Sequence, residues 1–226
     1  MSVREEFDAW ARDGRDRGME RRHWHTARHV LSRMPIEDGD SVLDLGTGSG
    51  YAARAMRSAG GAARAVGLDG APEMARNAQE YTDDAAVEFV VGAFGALPFA
   101  DGGFDHAFSM EAFYYAEDPR ETLSEVRRVL APGGTFHCAV NYYEANVHSH
   151  DWQENVAVEM TRWSAREYRE AFRGAGFHVA SQDNVPDREI EIPPAEAFPT
   201  DGFETREAMV ERYRDLGTLL TVGVVL

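Results

Sequence analysis

Lysine is missing from this chain of 226 residues: all 23 basic side chains are arginine, set against 39 aspartates and glutamates for a formal net charge of −16. No sustained basic cluster offsets that surplus, so a nucleic-acid backbone would find little counter-charge. The single cysteine, Cys138, excludes an internal disulfide and any cysteine-based zinc spacing. Long apolar runs are also absent. The most apolar stretch, 219–226, falls far short of the ~20 residues that span a bilayer, and the charged start has no signal-peptide pattern. There is no internal repeat and no low-complexity segment. These absences point to a soluble, cytoplasmic protein with neither nucleic acid nor membrane as partner. Missing lysine together with surplus acid predicts a halophilic chain, whose carboxylate surface stays hydrated in concentrated salt. A G+C-rich coding bias with an acidic pI is the rival reading.

What is present fits a globular protein: 43% of residues are apolar and 11% aromatic. The length predicts one domain over 1–226, with an N-terminal helical lid over 1–38 and an α/β core over 40–226. Two amphipathic helices are expected within 4–34, with Gly14 and Gly18 marking the break between them. Short apolar strands then alternate with helices, at 41–45, 64–69, 86–91, 104–110 and 134–141, the pattern of a parallel sheet built from crossover units. Asp118-Pro119 marks a helix start, with Asp as N-cap and Glu121 at the third helical position, and Pro132-Gly133-Gly134 should stop that helix. Ser164 and Glu167 form a capping box for another. A proline-rich excursion after Val185, a helix near 204–216 and a last strand over 218–226 complete the chain.

The most informative stretch is Asp44-Leu45-Gly46-Thr47-Gly48-Ser49-Gly50-Tyr51. A buried strand runs into three alternate glycines and then a helix. Glycines let a ligand approach the backbone closely, and the helix N-terminus offers unpaired N–H groups. Asp69 ends the next strand, where a carboxylate can accept both hydroxyls of a ribose. Gly48-Ser49-Gly50-Tyr51-Ala52-Ala53 also fits the dinucleotide fingerprint with alanine in its third position. Asp44 argues against that register, because a pyrophosphate would not favour an acid so near.

These residues resemble the class I S-adenosylmethionine-dependent methyltransferases, in the small-molecule branch near the ubiquinone-biosynthesis type. The family's acid-x-Gly-x-Gly-x-Gly motif is matched by Asp44, Gly46, Gly48 and Gly50, and its ribose-binding acid by Asp69, followed by Gly70 and Met74. Leu97-Pro98-Phe99 with Phe104-Asp105, and Arg128 through Gly134, match two further motifs. The resemblance covers roughly 40–180. It implies a Rossmann-like three-layer α/β sandwich with a mostly parallel, seven-stranded sheet and an antiparallel last strand. It also implies S-adenosyl-L-methionine as cofactor, S-adenosyl-L-homocysteine as product, and methyl transfer to a small-molecule acceptor by a monomer or homodimer. Thr47 and Met110 join the expected cofactor site. One departure stands out: where the family often places an acid for the adenine amino group, this chain has Ala93-Phe94, so adenine would rest on backbone N–H groups and the Phe94 ring.

Methyl transfer is an in-line displacement that needs positioning more than acid–base chemistry. The expected catalytic residues are Glu111 and Tyr115. Tyr114, Asn141 and Tyr142 are expected to bind the acceptor, with His23 on the lid. His25/His29 and His148/His150 lack the acid that a zinc-protease helix needs, and no metal is expected. Two other classes stay open: an NAD-linked oxidoreductase using the Gly48-to-Ala53 register, and a non-catalytic S-adenosylmethionine-binding regulator.

Overall fold

A strand buried on both faces needs helices over both, and that requirement organises the molecule. The computed structural model describes residues 2–200 and 202–226. Strands β1 (Ser41–Leu45), β2 (Arg64–Asp69), β3 (Val87–Val91), β4 (Phe104–Met110), β5 (Leu130–Val140), β6 (Phe177–Val185) and β7 (Thr218–Val225) form one sheet. Their order is β3-β2-β1-β4-β5-β7-β6. The first five pair in parallel, and β7 lies antiparallel between β5 and β6. This is the Rossmann-like arrangement expected from the motifs.

The helices are α1 (Val3–Arg12), α2 (Asp16–Leu31), α3 (Tyr51–Ser58), α4 (Pro72–Glu80), α5 (Pro119–Val129), α6 (Ala165–Gly174) and the short α7 (Arg206–Val210). The caps behave as their chemistry requires. Asp118 accepts from the N–H groups of Arg120 and Glu121 at 2.8 and 3.1 Å. Ser164 and Glu167 close their reciprocal box.

The two faces of the sheet are packed differently. Under α5 and α6 the core is aromatic: Phe113, Tyr168 and Phe172 are buried, and Phe136 stacks on Phe172 at 5.5 Å between centroids. Under α2 and α3 it is built from small side chains, with Ala27, Ala52 and Ala53 against Val42 and Ala65. Small residues let α3, and the turn before it, sit tight against the sheet.

Three sequence expectations change. Gly18 lies inside α2, so Gly14 alone breaks the N-terminal helices. Strand β5 begins at Leu130, ahead of Pro132-Gly133-Gly134, because Leu130 pairs with Phe104 across a register shift. The helix near 204–216 is α7 continued by a π-helical turn, Glu211–Leu216.

Strand β1 has β2 on one side and β4 on the other, so the chain order reverses there and a crevice opens beyond the strand ends. Helix α1 lies across its mouth. Asp8 accepts from the Glu73 N–H at 2.9 Å, Asn77 donates to the Ala11 carbonyl at 3.2 Å, and Glu6 accepts from the Ala157 N–H at 3.2 Å.

Candidate active site

Two carboxylates hold the glycine turn open. Asp44, 2% exposed, accepts through Oδ2 from the Thr47 hydroxyl at 2.6 Å and from the Ala53 N–H at 3.2 Å, tying the turn to the first turn of α3. Asp69 accepts from the Gly48 N–H at 2.9 Å and from the Ala71 N–H at 2.9 Å, tying the same turn to the end of β2. The backbone conformation demands glycine. Gly46 has φ +77°, and a Cβ there would lie 2.2 Å from that of Ala112. Gly48 has φ +53° and nothing within 4 Å of where its Cβ would stand, so its outer side is free for a ligand.

Beyond the turn lies a cavity of about 830 Å³, in the size range of nucleotide and cofactor sites. Its inner end is formed by Asp44, Gly46, Thr47 and Gly48, and its adjoining wall by Asp69, Gly70 and Met74. Ala93 and Phe94 form another wall, with no carboxylate at position 93, and the Phe94 ring reaches to 3.1 Å from the Gly46 Cβ position. At the end where β4 leaves the sheet stand Met110, Glu111 and Tyr115, close to the glycine turn through Ala112, and His23 of α2 lines the cavity as well.

Glu111 carries the most constrained backbone at this end. Its φ of +55° is the only positive value on a non-glycine residue among the described residues. Such a conformation costs roughly 1–2 kcal/mol in an L-residue and persists where the surroundings over-determine it. They do so here: Oε1 accepts from the Asn141 N–H at 2.5 Å and Oε2 from the Tyr114 hydroxyl at 3.1 Å.

Burial sets the proton affinities. It pushes Asp44 and Glu111 each up to about 7 and Asp69 to about 6, against their hydrogen bonds. Burial also holds His23 down at about 4, aided by the nearby Arg22 charge, so its imidazole is neutral near pH 7. The walls can therefore hold protons near neutrality and gain negative charge when a cation enters.

Most of the expected site residues meet on these walls; four do not. Gly50 packs its backbone against the Phe89 ring and Ala78, away from the cavity. Tyr114 and Tyr142 are each 3% exposed, with rings 5.6 Å apart, and form the layer behind the wall. Asn141 fixes Glu111 through its backbone N–H while its side chain accepts from Thr218 at 2.9 Å. Tyr114 and Asn141 thus hold Glu111 in place, and Tyr142 packs behind Tyr114, rather than lining the cavity. Wall residues absent from the sequence expectations include Phe7, Met19 and Glu20 of the N-terminal helices and Tyr51 of α3. Tyr51 follows the glycine motif directly, so its position was a usable signal; Phe7 and Met19 gave none beyond helical spacing. Among the described residues no group of three or more His, Cys, Asp or Glu could hold a metal. His148 bonds Glu211 at 3.0 Å, and His25 meets Glu189. No helix of the described residues is long and apolar enough to cross a membrane.

Comparison with known proteins agrees with this geometry. A family model described as a methyltransferase domain matches residues 43–138. A chain solved in a complex of the Haloferax volcanii Trm112 methyltransferase activator with a protein provisionally described as a methyltransferase is 66% identical, with TM-score 0.97 over 99% of both chains. An S-adenosylmethionine-dependent methyltransferase from Mesorhizobium loti shares the fold at TM-score 0.69 and 21% identity, over 89% of this chain and 97% of that one. The methyltransferase phqN of Penicillium fellutanum is 32% identical over 76% of this chain and 55% of its own length. The chain thus spans about half the length of the curated relatives it matches.

Proposed function

The chain belongs to the class I S-adenosylmethionine-dependent methyltransferases, and from that membership we propose that it methylates a small-molecule acceptor as one half of a two-protein assembly. Membership sets aside the dinucleotide register. The observation that carries the proposal is the pair of carboxylate brackets, Asp44 to Thr47 and Ala53, and Asp69 to Gly48, around a glycine turn whose free side faces the cavity.

The residues present fit the family's cofactor. Asp69 has the carboxylate for ribose hydroxyls, Gly46 and Gly48 leave room at the turn, and Met74, Ala93 and Phe94 offer a mostly apolar seat for the base. When bound, S-adenosylmethionine supplies a methyl group on a cationic sulfur. Carboxylates at Asp44 and Glu111 and the Tyr115 ring favour positive charge there. Helix α1 shields the acceptor from water, and Glu111, poised at about 7, takes up a proton where the accepting atom carries one.

The expectation of a monomer or homodimer is corrected. The relative matching at 66% identity over 99% of both chains was solved with an activator protein. A protein activator of the Trm112 type is the partner this supports. Mixing the chain with the Haloferax volcanii Trm112 protein should give a 1:1 peak in size-exclusion chromatography with light scattering. Two separate peaks at micromolar concentration would reject it.

The cofactor reading is tested by calorimetric titration in molar KCl with S-adenosylmethionine, S-adenosylhomocysteine and NAD. Micromolar binding of the two sulfur ligands, weakened at least ~30-fold (about 2 kcal/mol) by Asp69→Ala, is expected from losing hydrogen bonds to a charged group. NAD binding alone would sink it.

A further inference from the structure

We propose that the acceptor is a small-molecule amine that enters as a cation and is methylated on nitrogen. This rests on the methyl-transfer reading above and specifies the acceptor for the same site.

The acceptor end of the cavity is one-sided in charge. Leaving Asp44 and Asp69 to the cofactor, the lining still carries Glu111 beside Tyr115, with Asp16, Glu20, Glu117, Asp118 and Glu121 elsewhere on it, Glu121 next to Gly95. The same lining has one guanidinium, Arg4, exposed on α1, and the chain has no lysine to add. The only imidazole on the wall, His23, is neutral near pH 7. The buried Arg212 does not line the cavity and is already set against Glu111, so a phosphate or carboxylate entering here would leave water without a free buried counter-ion on the wall, which is costly. An ammonium would meet Glu111 inside.

The aromatic arrangement points the same way. Phe7 of α1 and Tyr115 meet edge to face at 4.9 Å on the wall, and Tyr114 backs Tyr115 at 4.6 Å. Ring faces attract cations, most strongly where water is excluded, and carboxylates beside aromatic rings favour ammonium groups. The site must also seat two cations together, the acceptor and the sulfonium. Glu111, fixed from two sides by Asn141 and Tyr114, stands where the negative charge is needed to make that tolerable.

The chemistry balances. The ammonium gives one proton to the Glu111 carboxylate. The freed nitrogen lone pair forms the N–C bond as the C–S bond breaks, with its electron pair staying on sulfur. The product leaves as the methylated ammonium, and Glu111 returns its proton to water.

Three probes of one shape decide the matter: benzylamine, benzyl alcohol and benzoate, titrated calorimetrically into the full chain saturated with S-adenosylhomocysteine, in molar KCl. Benzylamine should bind at least tenfold tighter than benzyl alcohol, and benzoate should not bind. Glu111→Gln should remove that preference. Phe7→Leu, which takes one ring from the half-buried wall beside Tyr115, should reduce it several-fold, and so tests the idea even if the buried variant fails to fold. Benzoate binding as tightly as benzylamine, no preference for the amine, or no binding by any probe would overturn the proposal. If S-adenosylhomocysteine itself does not bind, the methyl-transfer reading falls first, so the two failures are distinguishable.

Discussion

Glu111 concentrates backbone strain, burial and a displaced proton affinity in one residue. Its carboxyl is raised from 4.5 to about 7 by burial, so the folded state prefers the protonated form. The stability this contributes is complete below pH 4.5 and is lost as pH rises through 7. Glu111→Gln keeps the shape and cannot ionise. It should melt within a degree of the parent at pH 5 but several degrees higher at pH 8, because the cost of an ionised buried carboxylate is gone; equal melts at pH 8 would refute this. Asp69 offers a complementary test. Its carboxyl is raised to about 6 while it bonds the turn, and ribose hydroxyls donating to it favour the ionised form. S-adenosylhomocysteine binding at pH 6 should therefore release a fraction of a proton, read as a dependence of calorimetric enthalpy on buffer ionisation heat. Affinity should rise between pH 5 and 7. The residue types of the site were legible because motif chemistry is local: acid, alternating glycines, acid. Which side Tyr114, Asn141 and Tyr142 face depends on how the chain leaves β4 and β5, and no local pattern encodes that.

At the scale of elements, caps and breakers were read correctly wherever the deciding interaction lies within a few residues, as at Asp118 and Ser164. They failed where pairing across the sheet overrode them. Pro132-Gly133-Gly134 looks like a stop, yet Leu130 has already joined β5 by pairing with Phe104. Gly18 looks like a break, yet α2 runs through it, held by packing against α3 and the sheet. Its φ lies outside the left-handed range, and a Cβ there would meet only the Arg21 side-chain end at 3.9 Å. Gly18→Ala should then stabilise the fold by ~0.5–1 kcal/mol, raising the melting temperature by ~1–4 °C; a lower melt would show that the site needs glycine. Helix α1 makes a different case. It is tethered across the cavity by Asp8 and Glu6 and by a small apolar cluster in which Phe7, Trp10 and Ala11 meet Ala71 and Met74. Replacing both with alanine should lower amide protection in Val3–Arg12 by at least tenfold in hydrogen exchange while the global melt moves little.

For the whole molecule, charge is the dominant fact. At −16 the chain repels itself, and the repulsion is relieved as the screening length falls from ~10 Å at 0.1 M salt to ~3 Å at 1 M. The melting temperature should climb by ~10 °C or more between 0.1 and 2 M KCl, measured by differential scanning fluorimetry. A flat response would favour the coding-bias reading of the composition. The fold class was legible because five short apolar runs alternate with helices, and the seven-stranded count came with the family resemblance of the motifs. The proposed protein partner was not, since an interface with another chain leaves no periodicity of its own.

Strand β6 pairs only with β7, and β7 follows it in the chain by way of α7 and the π-helical turn. During synthesis β6 therefore emerges with no strand to join, while β5 presents an open edge beside it. Strands β1 to β5 can assemble beforehand around the switch point, so the crevice can take shape before the sheet is finished. A nascent chain held with β6 outside the ribosome and β7 still inside it has two unsatisfied β-edges, the state in which neighbouring copies on a polysome are most prone to associate wrongly.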